Sequence, residues 1–141
     1  MAKNKKLNKG SAGQNRKASE VFIEKYLRQP EVQQTHTGLM YRVIDQTEGT
    51  KPTMQDTVVV NQRILNVDGS VIADTYKTGF VDRFSLQEAI PGLQEGLQMM
   101  PVGSRYEFVL PADLAWGKKG VGNKIGPNAV LIFDIRLLEL E

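Results

Sequence analysis

The chain contains no cysteine, which excludes disulfides, thiolate metal sites and a cysteine nucleophile. It contains one histidine, His36, in the polar run "QQTHTG", where a solvated loop residue is expected. A single histidine without cysteine leaves few routes to a zinc site or a Ser-His-Asp triad. No apolar run approaches the roughly 20 residues of a membrane span. The opening "MAKNKKLNKGSAGQNRKASE" also lacks the apolar core, roughly 7–15 residues long, of a signal peptide, so the expected compartment is the cytoplasm, with no membrane partner. Acidic charge is missing from that same segment up to its last residue, Glu20. Lys3, Lys5, Lys6, Lys9, Arg16 and Lys17 all precede Glu20, and since the whole chain carries +2, the remainder carries −4. The arm can therefore meet an acidic partner or a polyanion electrostatically, although a solvated, disordered terminus is the simpler expectation.

With 141 residues, 40% of them hydrophobic, the chain has material for one compact domain and an appendage. The expected division is a disordered basic arm at 1–18, a short helix and connector at 19–37, and the domain proper at 38–141. Ser19 is placed to cap the helix, Phe22, Ile23, Tyr26 and Leu27 share a face, and Pro30 stops it. From Gly38 the pattern becomes extended and β-branched, in "LMYRVI", "DTVVVNQRILNV" and "SVIADTY", with a tight turn at Asp68-Gly69. The segment "RFSLQEAIPGLQEGLQMMPVG" holds the main helix. There Ile90, Leu93, Leu97 and Met100 recur at helical spacing, Pro91 suits the first helical position, and Pro101 ends the pattern. "SRYEFVLP" and "AVLIFDIRLLEL" read as closing strands. Several antiparallel strands and one central helix define an α+β fold in which the helix covers one face of a sheet.

The glycine-rich stretch after Trp116 invites a phosphate-binding reading, which fails on spacing. Gly117 and Gly122 stand as in a P-loop, but Asn123-Lys124-Ile125 follows where lysine and a hydroxyl are required. Gly120, Gly122 and Gly126 lead into a strand, whereas a dinucleotide fingerprint opens a helix. What remains is a mobile flap with Trp116 at its lip, suited to cover an apolar pocket.

The runs "KPTMQDTVVV", "NVDGSV", "AIPGLQEGLQMMPVGSRYEFVLPADLAWG" and "IGPNAVLIFDIRLLEL", preceded by "GLMYRV", resemble in order and spacing the FKBP-type peptidyl-prolyl cis-trans isomerases, and the bacterial branch most of all. The resemblance spans Gly38 to Glu141 and, more weakly, the helix before it. It implies an antiparallel half-barrel wrapped on one short helix, a proline pocket between helix and sheet, and rotation about X-Pro bonds in polypeptide substrates without a cofactor. Carried over by position, Phe84, Ile90, Ile125 and Phe133 match pocket residues of the family, and Trp116 stands where the flap carries a tyrosine. Ala89 replaces the usual valine, Gln62 a tyrosine, Ile72 a phenylalanine, Ala73 an aspartate and Leu93 a tryptophan. Asp74, one position after Ala73, would face the opposite side of a strand. Phe84, Ile90, Leu93 and Phe133 would serve equally as plain core, whereas Trp116, flanked by glycine, has little core to join. These replacements imply an isomerase of reduced activity, with a non-catalytic peptide binder using the same groove as the alternative. A monomer is expected, because the chain has room for little of the longer helical region through which related proteins dimerise.

Overall fold

The computed structural model describes residues 12–141, with side chains accounted for from residue 16. Helix α1 (Ala12–Leu27) leads into strands β1 (Gln33–Gln34), β2 (Met40–Asp45), β3 (Thr57–Asn66) and β4 (Val71–Asp74). A single helical turn, α2 (Thr75–Thr78), precedes β5 (Asp82–Ser85), and α3 (Pro91–Leu97) is followed by β6 (Arg105–Leu110) and β7 (Leu131–Leu140). The strands form one antiparallel sheet in the order β1-β2-β6-β7-β3-β4, with β5 paired to the first half of β3. This is the α+β half-barrel expected from the sequence.

Strand alternation assigns the sheet's two faces. Tyr106, Phe108 and Leu110 point into the main core with Leu39, Val58, Val60, Ile64, Phe133, Ile135 and Leu137. Leu93 and Leu97 of α3 close that core from above. The helix comes so close that a Cβ on Gly96 would press into the Phe108 ring, so only glycine fits there. Pro91 occupies the first turn of α3 as expected, but the helix ends at Leu97, and Met100 reaches the core from the turn that follows.

The opposite face is covered at one end by α1. Tyr26 packs on Met40, Val109 and Val130, with Phe22, Ile23 and Ile132 around them. Both faces of β6 are therefore buried. Tyr26 donates its hydroxyl hydrogen bond to Glu107 at 3.0 Å, and Glu107 also pairs with Arg42 at 2.8 Å. Burial, reinforced by the Glu107 charge, pushes the Tyr26 phenol well above the ordinary tyrosine value.

Four expectations are corrected. Residues 12–18, assigned to a disordered arm, lie in α1; the expected disorder of residues 1–11 falls outside the described residues. Ser19 is therefore not a cap. It sits inside the helix, 5% exposed, and its hydroxyl has no partner among the described residues. The sheet starts before residue 38, because Gln33 and Gln34 pair with Tyr41 and Met40. The extended run "SVIADTY" stops at Asp74, whose carboxylate accepts from the Lys77 N–H at 3.2 Å and caps α2. His36 lies exposed in the turn between β1 and β2, as expected.

The buried, unpartnered Ser19 hydroxyl has a direct consequence. Alanine removes the orphan group and is the better helix former, so Ser19→Ala is expected to raise the unfolding free energy by about 0.5–1 kcal/mol. Equilibrium urea unfolding reads this, and a loss of stability would show that the hydroxyl has a partner after all.

Candidate functional site

The sheet brings the expected pocket residues together through its register. Tyr41, Phe108, Phe133, Ile64 and Ala73 form one transverse row, each paired with the next across β2, β6, β7, β3 and β4. Phe84 lies opposite Val58 on β5. Ala89 and Ile90 lead into α3, and Ile90 sits at its N-cap. Ile72, Ala73, Phe84, Ala89, Ile90 and Trp116 all pack, partly buried, against the main core.

Depth separates the candidates into two groups. Phe133, Ile125 and Leu93 are 1%, 5% and 6% exposed, so they form a floor. Phe84, Ile90, Ile72, Ala89 and Trp116 keep partial access to solvent and form the reachable walls. The backbone N–H of Ile90 donates to no backbone carbonyl among the described residues.

The flap is not loose chain. Gly117 N–H donates to the Ala112 carbonyl at 2.8 Å, and Val121 and Ile125 exchange backbone hydrogen bonds at 2.9 and 3.3 Å. Its far end is tied to the β3–β4 turn, where Asn66 donates to the Lys124 carbonyl at 3.0 Å and Lys124 Nζ to the Ile72 carbonyl at 3.3 Å. Gly120 has φ +68°, and a Cβ there would collide with the carbonyls of Ile125 and Gly126. Glycine is thus required where the loop crosses itself.

The replaced positions form a wall of different chemistry. Strand β3 pairs with β5 through Val60 and with β4 from Arg63 onward, which leaves Asn61 and Gln62 between the two partners. The Gln62 N–H is satisfied by the Thr75 hydroxyl at 2.8 Å, and that hydroxyl donates to Asn61 Oδ1 at 2.8 Å. The Gln62 side chain shares the inward face with Val60 and Ile64. Its Nε2 donates to Asp82 Oδ2 at 2.8 Å, while its Oε1, buried, has no donor among the described residues. Leaving such an acceptor unpaired costs about 1–3 kcal/mol. Asp82 is the residue that sequence reading missed. The signal was available in "DRF", where Asp82 alternates with Phe84 and so occupies a core-facing parity that an acidic residue rarely takes. Asp74, in contrast, lies opposite Arg63, the face away from Ala73 and Ile64.

A second apolar groove lies away from this site, between α1 and the β3–β4 turn, lined by Ala18, Val21, Phe22 and Val67 with Lys17, Lys25 and Asp68 at its edges.

A short helix packed on an antiparallel half-barrel sheet defines the fold, and comparison with known proteins shows its family. The model of the FKBP-type peptidyl-prolyl cis-trans isomerase family matches residues 48–138, and that of the domain amino-terminal to such isomerases matches residues 1–43. The chain belongs to the FKBP-type peptidyl-prolyl cis-trans isomerase family. It is 39% identical over 130 residues to the outer membrane protein MIP of Legionella longbeachae, covering 92% of this chain and 56% of that one. Among solved structures it is similar to FkpA from Escherichia coli, at a TM-score of 0.86 and 37% identity, covering 92% of this chain and 61% of that one. A peptidyl-prolyl cis-trans isomerase from Pseudomonas syringae pv. tomato matches at a TM-score of 0.84 and 26% identity, covering 95% and 98% respectively. The chain spans about half the length of the curated relatives it matches.

Proposed function

We propose that this chain catalyses cis-trans isomerisation of X-Pro bonds in polypeptides and assists their folding. The observation that supports the reading is a placement: Phe84, Ile90, Ile72, Ala89 and Trp116 lie partly buried against a core that includes Phe133, Leu93 and Ile125, as the walls and floor of a proline cup would. The barrier to rotation is about 18–20 kcal/mol because twisting breaks amide resonance. The planar amide is more polar than the twisted one, so transfer into an apolar cup raises the ground state relative to the transition state. In this reading the backbone N–H of Ile90 and the indole N–H of Trp116 hold the substrate carbonyl while the bond turns. No proton transfer and no cofactor is required.

Reduced activity is part of the proposal. Leu93 supplies less aromatic floor than the family's tryptophan, and Ala73 no polar group where the family has aspartate. A peptide-binding module without turnover is the second reading, favoured by the same replacements. The two separate in a protease-free isomerase assay on short X-Pro peptides, paired with chemical-shift mapping of peptide binding. Acceleration below that of a family member with the full pocket is expected. Binding without acceleration would establish the second reading, and neither binding nor acceleration would sink both.

The exposed Arg16 and Lys17 on α1 support an acidic partner for the basic segment. No helix among the described residues is long and apolar enough to cross a membrane. The cytoplasmic placement expected from the sequence gains no support from the relatives, one of which is named an outer membrane protein.

A further inference from the structure

The wall formed by Gln62 and Asp82 has an unmet demand for donors. A carboxylate only accepts hydrogen bonds, so the Gln62 amide must turn its nitrogen toward Asp82 and its oxygen away. That oxygen is buried, with Gln62 only 6% exposed, and it receives no hydrogen bond from the described residues. Asp82 makes no ion pair among the described residues, and its neighbour Arg83 is committed to Glu141 at 2.8 Å. Both residues sit on the inward face of the sheet, beside the residues of the expected cup. Asp82 lies opposite Val60, and Gln62 opposite Ile135, one step along the inward face from the Ile64–Phe133 pair of the floor.

We propose that Gln62 and Asp82 form a subsite for a cationic side chain flanking the proline, so that the protein selects X-Pro bonds bearing lysine or arginine beside them. The inference rests on the isomerase reading of the same cup and adds a substrate preference to it. A lysine ammonium carries three donors and an arginine guanidinium five, enough to satisfy the amide oxygen and the carboxylate together. Phe84, two residues from Asp82 on the same face of β5, offers apolar surface along which the methylene stem can lie. A leucine at that position would leave both acceptors unpaired in a site closed by substrate, which is how a polar wall discriminates.

The experiment compares matched short peptides with lysine, leucine or glutamate placed immediately before or immediately after the proline. Both kcat/KM and the dissociation constant from chemical-shift titration are measured. At one of the two positions, lysine is expected to be favoured over leucine by about tenfold, the worth of one charge-assisted hydrogen bond. Glutamate should be the poorest, and the preference should shrink with added salt. Asp82→Asn, close to isosteric, should bring the lysine-to-leucine ratio near one, and Gln62→Leu should lower it. Equal use of lysine and leucine by the unaltered protein overturns the proposal, as does a lysine preference that survives Asp82→Asn in a folded variant. If no peptide is turned over, the isomerase reading falls, but the dissociation constants still decide the subsite: a lysine preference there upholds it, and its absence overturns it.

Discussion

Phe133→Ala is expected to lower the unfolding free energy by about 3–5 kcal/mol, the range for truncating a large aromatic in a packed core. Phe133 is 1% exposed and lies between Phe108 on β6 and Ile64 on β3, so truncation opens a void at the centre of the sheet's inward face. The resemblance to the family presents Phe133 as a pocket residue, but its depth makes it floor first and ligand contact second. The walls should behave differently. Phe84→Ala and Trp116→Ala remove partly exposed side chains and should cost less than half as much stability while lowering kcat/KM on X-Pro peptides. Equilibrium urea unfolding and the protease-free assay, run on all three variants, test the division. A Phe133→Ala variant as stable as the parent but without activity would place that ring among the ligand contacts and remove the distinction between floor and wall.

The same division marks how far the sequence could be read. The long strands β3 and β7 announce themselves by β-branched and alternating residues, and α3 by its apolar spacing and Pro91, because these signals are local. The transverse row from Tyr41 to Ala73 is not local, yet strand parity alone places most of its members on one face. Strand β5 escaped notice. Its four residues are too few for a periodic signal, and its partner Val58 lies far back in the chain. The start of α1 was missed for another reason: the apolar stripe begins near Ser19, but alanine, glutamine, arginine and lysine extend a helix beyond it without any apolar pattern. The Gln62–Asp82 wall depends on where β3 changes partners from β5 to β4. That exchange is set by pairing between distant segments, so the composition of β3 does not reveal it.

The change of partners on β3 is held in place by α2, and α2 by an ion pair on the sheet's outer side. Asp134, 7% exposed, accepts from Arg105 Nε and Nη2, both at 2.8 Å, and from the Tyr76 hydroxyl at 3.1 Å. The Arg105 guanidinium also stands 5.0 Å from the centre of the Tyr76 ring. Breaking a buried pair from one side costs about 3–5 kcal/mol, but the Arg105 side chain is one-third exposed and water would repay part of that. Asp134→Ala is therefore expected to cost about 2–3 kcal/mol in urea unfolding. Alkaline pH reports the same contact. Burial first, and the Asp134 charge second, push the Tyr76 phenol up to about 12. A raised folded value means that the neutral phenol is the form the fold prefers. The Tyr76 contribution is thus complete below the ordinary tyrosine value of 10.0 and is lost as pH rises through about 12. Removing Asp134 deletes the second cause, so Tyr76 should ionise earlier, read as tyrosinate absorbance against a Tyr76→Phe control. The effect should also travel inward. Tyr76 is the next residue after Thr75, whose hydroxyl holds the Gln62 N–H, so loosening α2 should shift the Gln62 amide resonance and speed its hydrogen exchange. An Asp134→Ala variant with unchanged stability and an unmoved Gln62 amide would show that the outer ion pair and the inner wall are independent.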